Sequence, residues 1–267
     1  MRKLSTLFVL LLAVGLTSCG GGGGMSLGTQ GSGGSSSTAL TSGNWSLVAS
    51  SVVVSGTTYI GGSLTLSGSS LNAIMHIDNS SCYDLSTDVP FSGSISGTNA
   101  TLTSSSISGQ VITVTGTVSN STLLQGSYTI AGGCATGDHG SVTGTLVPSI
   151  SATWKAIDNS SGTTVTITGA ITESSTSATD GIYGLSGNIT YSGSSCSTGG
   201  SITNISFISG DIVAIDAQTT DTNGTTGETQ FVGILNNAAS PTAFTGNYEI
   251  LSGACTGRTG TLTFNKQ

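Results

Sequence analysis

Leu124-Gln125-Gly126-Ser127-Tyr128-Thr129-Ile130, followed by Cys134, returns later in the chain as Phe244-Thr245-Gly246-Asn247-Tyr248-Glu249-Ile250, followed by Cys255. In each copy a large apolar residue, a glycine, a tyrosine and an isoleucine occupy alternate positions. Successive side chains of a strand point to opposite faces, so this spacing predicts a half-buried β-strand. Aligning the two copies brings the rest of the chain into register as two homologous halves.

Outward from that strand, Trp45 matches Trp154 at an offset of 109 residues. Leu71, Ala73, Met75, Ile77 and Cys82 match Leu185, Gly187, Ile189, Tyr191 and Cys196 at 114. Ile95-Ser96-Gly97 matches Ile208-Ser209-Gly210 at 113, and Val114, Gly116 and Val118 match Phe231, Gly233 and Leu235 at 117. The offset drifts as insertions in turns would make it drift, while alternate spacing is kept, as core-facing strand positions require. A unit of about 110 residues repeated twice is a domain duplication, since solenoid units run about 20–50 residues. The boundary is expected near Pro148 to Ser151.

Each half reads as about eight short strands separated by turn signals such as Asn79-Ser80 and Gly97-Thr98-Asn99. In the first half they are expected near 45–54, 57–66, 71–77, 91–96, 99–104, 110–118, 123–131 and 140–147. Strand-internal glycines (Gly116, Gly126, Gly233, Gly246) weaken a flat sheet but suit the sharp bends of a small closed barrel. The expected fold is all-β: two tandem, homologous antiparallel β-meander barrels, at 43–149 and 150–267, with β-sandwiches as the alternative. Trp45 lies before Cys82 rather than between the cysteines, which disfavours an immunoglobulin-like sandwich.

The chain opens with basic Arg2 and Lys3, an apolar run from Leu7 to Leu16, and Leu16-Thr17-Ser18-Cys19. Residues 1–18 read as a signal peptide, its core short for a membrane span. Leu16 to Cys19 resembles a bacterial lipobox, in which the cysteine carries acyl chains of the palmitate class. That resemblance implies lipidation of Cys19 and a membrane partner through the anchor. By resemblance to the sorting rule of enteric lipoproteins, Gly20 after the cysteine, where a retention signal would often place Asp, implies the outer membrane of the cell envelope. Residues 19–42 are Gly/Ser-rich and read as a flexible tether.

Four cysteines remain, two per half. An exported chain meets an oxidising compartment. The duplication then pairs Cys82 with Cys134 and Cys196 with Cys255. Long spacing without a CxxC or a His pair argues against a metal, and no cofactor is expected. Only 6% of residues are charged, and the net charge is -7, or -9 without Arg2 and Lys3. Such a surface repels nucleic acid, which is excluded as a partner.

Gly43-Asn44-Trp45 at the head of a meander resembles the GxW opening of lipocalins, although Ala152 stands where the second half would place that glycine. Leu124-Gln125-Gly126-Ser127-Tyr128 resembles the L-x-G-x-Y strands of avidin-type barrels. Both resemblances imply calycin-like barrels that bind small ligands, and they carry architecture alone. More broadly, the chain is similar to Gly/Ser/Thr-rich bacterial lipoproteins.

No catalytic constellation is present in the sequence. Asp138-His139 lacks a third group and is not repeated in the second half, where Gly257-Arg258 stands instead. His76 faces away from Met75 and Ile77 and is expected at the surface. Asp221-Thr222-Asn223-Gly224, at the end of the acidic stretch from Asp211, reads as a hairpin turn rather than a calcium loop. Trp45 and Trp154 are expected to plug the barrel bottoms, and Tyr128 and Tyr248 to line the interiors. If an interior is hollow, these four aromatics are the candidate ligand-lining residues. The expected function is non-enzymatic: binding a small hydrophobic ligand or a surface protein. The alternative is a structural or adhesion-type envelope protein.

Overall fold

Alternation of apolar and hydroxyl residues along the chain is resolved into seventeen strands and, among the described residues, no helix. The structure is a computed structural model that describes residues 39–53, 56–78, 80–159 and 162–267. The expected signal peptide, Cys19 and most of the tether lie outside the described residues.

The first half forms β1 (Gly43–Ser51), β2 (Thr57–Ser67), β3 (Ser70–Asp78), β4 (Val89–Ser96), β5 (Asn99–Ser104), β6 (Val111–Asn120), β7 (Leu123–Ala131) and β8 (His139–Leu146). Each strand pairs antiparallel with the next, and β8 returns to β1, closing a barrel. Inward residues alternate along every strand, and Trp45, Leu47, Leu64, Leu71, Met75 and Leu102 are buried in one core.

The second half repeats this path with β9 (Ala152–Asp158), β10 (Val165–Glu173), β11 (Tyr183–Ser192), β12 (Gly199–Ile202), β13 (Phe207–Ser209), β14 (Ile212–Thr220), β15 (Thr226–Leu235), β16 (Ala243–Ser252) and β17 (Thr259–Lys266). It closes into a second antiparallel barrel in which β12 and β13 share one stave between β11 and β14. Thr203 to Ser206 breaks that stave and turns Ile205 outward, where it is exposed. The boundary expected near 148–151 falls in the span between β8 and β9. The turn expected at Asp221 to Gly224 joins β14 to β15, with Asp221 Oδ1 accepting the Asn223 and Thr225 amides, and the acidic stretch before it, from Asp211, is mostly strand β14.

The glycines of the repeat meet across strands. Gly116 faces Gly126, and Gly233 faces Gly246. A Cβ on Gly246 would stand 2.0 Å from the Val232 carbonyl oxygen and 2.3 Å from the Gly233 Cα. The backbones approach so closely there that no side chain fits. Each barrel bottom is closed by its tryptophan, which donates four residues back: Trp45 Nε1 to Thr41 O at 2.8 Å and Trp154 Nε1 to Ile150 O at 2.9 Å.

The barrels join through the outer face of β1–β3. Asn44 Nδ2 donates to the Gly210 carbonyl at 3.1 Å and its Oδ1 accepts the Gly210 amide at 2.6 Å, as a neighbouring strand would. Ser209 Oγ donates to the Gly61 carbonyl at 2.7 Å. Gly210 holds φ +62°, and a Cβ there would meet Gly61 Cα at 2.5 Å. His76 does point out of its barrel, but it is buried rather than at the surface. The β3–β4 loop of its own barrel and barrel 2 cover it together, with His76 Nδ1 near Leu85 O at 2.9 Å and Nε2 near Asp180 O of barrel 2 at 3.0 Å.

Candidate functional site

The two disulfides form within their own barrels, Cys82–Cys134 and Cys196–Cys255, with Cα separations of 5.7 and 5.4 Å. Each clamps the loops at the barrel end opposite its tryptophan. The two ends differ in filling, and the repeat alignment shows why.

In barrel 1, Tyr83 follows Cys82 and packs on the core, its hydroxyl buried without a hydrogen-bond partner. Burial, reinforced by the Asp138 charge, pushes this phenol up to about 12. Gln110 is buried beside it, donating from Nε2 to Cys82 O at 3.3 Å and accepting the Ala135 amide at 2.9 Å. Ile112 fills the next inward position of β6. At the repeat offsets these three residues become Ser197, Gly227 and Thr229 in barrel 2. A phenol, an amide chain and a butyl group are replaced by a hydroxymethyl, a hydrogen and a hydroxyethyl.

Bulk has moved to the barrel 2 floor. Val114, Leu124 and Gly144 correspond to Phe231, Phe244 and Phe264. Phe244 stacks on Phe264 at 4.9 Å and packs on Trp154 at 4.8 Å, while Phe231 meets Phe264 edge-on at 5.5 Å. Above this floor lies a cavity of about 60 Å³. Its walls are apolar, including Val165, Ile167, Ile189, Ile215 and Leu262, with Tyr191 and Thr229 higher up. Burial pushes the Tyr191 phenol up to about 12, opposed by the Thr229 hydroxyl and reinforced by Tyr248.

The rim is polar. Arg258 Nη2 donates to Asp158 Oδ2 at 2.8 Å, and Tyr248 Oη donates to the same oxygen at 3.1 Å. Arg258 Nη1 also lies 3.7 Å from Cys196 Sγ. Barrel 1 has the carboxylate in the loop instead: Tyr128 Oη donates to Asp138 Oδ2 at 3.1 Å, and Ser51 Oγ to Asp138 Oδ1 at 2.5 Å. Asp138 therefore faces the barrel mouth, whereas His139 is exposed and contacts the Gly137 carbonyl at 2.9 Å. They do not form a pair.

Of the four aromatics singled out in the sequence, Tyr248 lines the cavity. Trp154 lies beneath it in the aromatic floor, fully buried. Trp45 and Tyr128 are packed into the barrel 1 core. The remaining cavity residues came from positions where the halves differ, and that difference was the sequence signal for them. Among the described residues, no group of three or more His, Cys, Asp or Glu side chains is placed to hold a metal ion. Compared with protein-family models, curated proteins and solved structures, the chain matches none.

Proposed function

We propose that the protein is a non-enzymatic binding module of the bacterial cell envelope, anchored to the outer membrane through lipidated Cys19, whose second barrel takes a small hydrophobic ligand. The observation that carries this reading is the apolar cavity at the Cys196–Cys255 end of barrel 2. An apolar hollow with few polar groups converging at its rim is the usual form of a small-molecule site. Two small residues, Ser197 and Thr229, line the cavity where barrel 1 carries the larger Tyr83 and Ile112, so the hollow does not come from a single packing defect. Barrel 1, with Tyr83 and Gln110 in place, acts as scaffold. A second reading, an envelope protein that works by display, rests on that filled first barrel.

Titration with decanol, followed by methyl NMR, tests the reading. Shifts are expected at Ile189, Ile215 and Leu262 and not at Ile112 or Leu124, and Ser197→Tyr should abolish them. No shift at the barrel 2 methyls, or equal shifts in both barrels, would remove the basis of the proposal.

A further inference from the structure

Two inward positions of barrel 2 break the apolar rule that barrel 1 keeps. Ile77 and Ile112 are each 1% exposed in the barrel 1 core. Their repeat counterparts, at offsets of 114 and 117, are Tyr191 and Thr229. Both line the cavity, and the Thr229 hydroxyl faces the Tyr191 phenol. Their strands, β11 and β15, are not neighbours in the barrel, so the two hydroxyls meet across its interior. One inward step further down stand Ile189 and Phe231, a drop of ~7 Å along a strand.

The charges at the cavity mouth are already matched. Arg258 pairs with Asp158 at 2.8 Å, and Tyr248 donates to the same carboxylate oxygen. Lys266 lies 5.7 Å from the centre of the Trp154 ring, and Lys155 faces an outer groove rather than the cavity. A carboxylate entering here has to take Arg258 from Asp158, and an ammonium has to take Asp158 from Arg258. Burying either charge unpaired costs far more than burying a hydroxyl. Tyr191 stays protonated at neutral pH, because burial lifts its phenol to about 12, so the wall presents neutral hydrogen-bonding groups.

Packing alone does not call for this hydroxyl pair. Isoleucines fill the same two positions in barrel 1, and an apolar pair of similar shape is about as stabilising as a buried hydrogen bond. What the hydroxyls add is discrimination. A wall built to bond an oxygen rejects a molecule that lacks one far more strongly than an apolar wall rejects an extra methylene. Val165, Ile167, Ile215 and Leu262 offer no polar side-chain atom, so the pair and the rim together set a ligand oxygen toward the mouth.

Resting on the binding function proposed above, we infer that the barrel 2 ligand is an uncharged, straight-chain molecule of the short alcohol or ketone type, its oxygen held by the Tyr191 and Thr229 hydroxyls. A cavity of about 60 Å³ is smaller than the ~150 Å³ hollow that holds benzene, so it takes a short chain rather than a ring. The alkyl end rests at the level of Ile189 and Phe231, above the aromatic floor. The oxygen sits one step higher, between the phenol and the Thr229 hydroxyl. Thr229 both donates and accepts and Tyr191 donates, so a hydroxyl or a carbonyl oxygen is served.

Methyl NMR on the full folded protein separates the parts of this inference, with 1-butanol, butyrate, butylammonium and cyclohexanol as probes at neutral pH. Butanol should shift the Ile189 and Ile215 methyls at a concentration about tenfold below either ion, and cyclohexanol should not reach them. Thr229→Val and Tyr191→Phe keep the shape of the wall. Each should weaken butanol about tenfold and leave the xenon shifts of the same methyls unchanged. Decanol, whose hydroxyl stays beyond the pair when its tail fills the cavity, should bind both variants as it binds the parent. If either ion matches butanol, the uncharged class is wrong. If both variants bind butanol as the parent does, the hydroxyl pair does not recognise the ligand. If cyclohexanol matches butanol, the straight-chain restriction is wrong. In each case decanol shifts at the cavity preserve the binding function, and their absence overturns that function instead.

Discussion

Replacing Asp211 with Asn should stabilise the protein at pH 8 and flatten its pH dependence. Asp211 follows Gly210 in the turn between β13 and β14 and is 3% exposed. Its Oδ1 has no hydrogen-bond partner, and neither does the buried Ser46 hydroxyl. Removal from water raises this carboxyl from 3.8 to about 6, and the charge of Asp78 adds to the rise. A raised folded pKa means that the folded state binds the proton more tightly than the unfolded state. The associated stability is fully present below about pH 4 and is lost as pH rises through about 6. Two units correspond to about 3 kcal/mol, or about 6–12 °C in Tm for a unit of this size. Asparagine mimics the protonated acid and can donate to Ser46. Urea unfolding at pH 4 and pH 8 measures the effect: the variant should lead by about 3 kcal/mol at pH 8 and by little at pH 4. Parallel pH curves for the two proteins would refute the reasoning.

Tyr83→Ser should hollow out barrel 1 as barrel 2 is hollowed, at a cost of about 3 kcal/mol, and xenon should then shift the Ile112 methyl in NMR. Gly246→Ala should cost more than about 3 kcal/mol, because its Cβ meets the backbone of β15 rather than a movable side chain; thermal unfolding measures this. Asn44→Ala leaves the Gly210 amide and carbonyl buried without their partner, so about 2 kcal/mol should be lost. Unfolding followed by a probe in each barrel should then lose its coincidence. Replacing Cys196 and Cys255 with Ser releases a loop of 59 residues and should cost about 4 kcal/mol in chain entropy, read as a lower denaturation midpoint.

The barrel architecture was legible because it rests on local pattern. Alternation fixed the strands, and the matching places of Cys82 and Cys134 with Cys196 and Cys255 in the two halves fixed the disulfides. Matched positions report what both halves must do, which is to pack a core, so Trp45 and Trp154 were found readily. The cavity is instead encoded in mismatches, Tyr83 against Ser197 and Ile112 against Thr229, which alternation alone does not weigh. His76 was misplaced for a related reason. A strand pattern says which way a side chain points, but not that another domain covers it. The short β9–β17 ladder is a matter of backbone hydrogen bonding and leaves no mark on periodicity.

The Asn44–Gly210 bracket also bears on how such a duplicated chain can change over time. Partial opening of barrel 2 uncovers Ser46, Ile74 and His76 on barrel 1, so each copy resists disorder in the other. The filled copy thereby supports a neighbour whose interior keeps a cavity. A change at Asn44 or Gly210 is therefore felt by both copies, whereas one at Ser197 or Thr229, inside barrel 2 and away from the joint, is felt by that barrel alone.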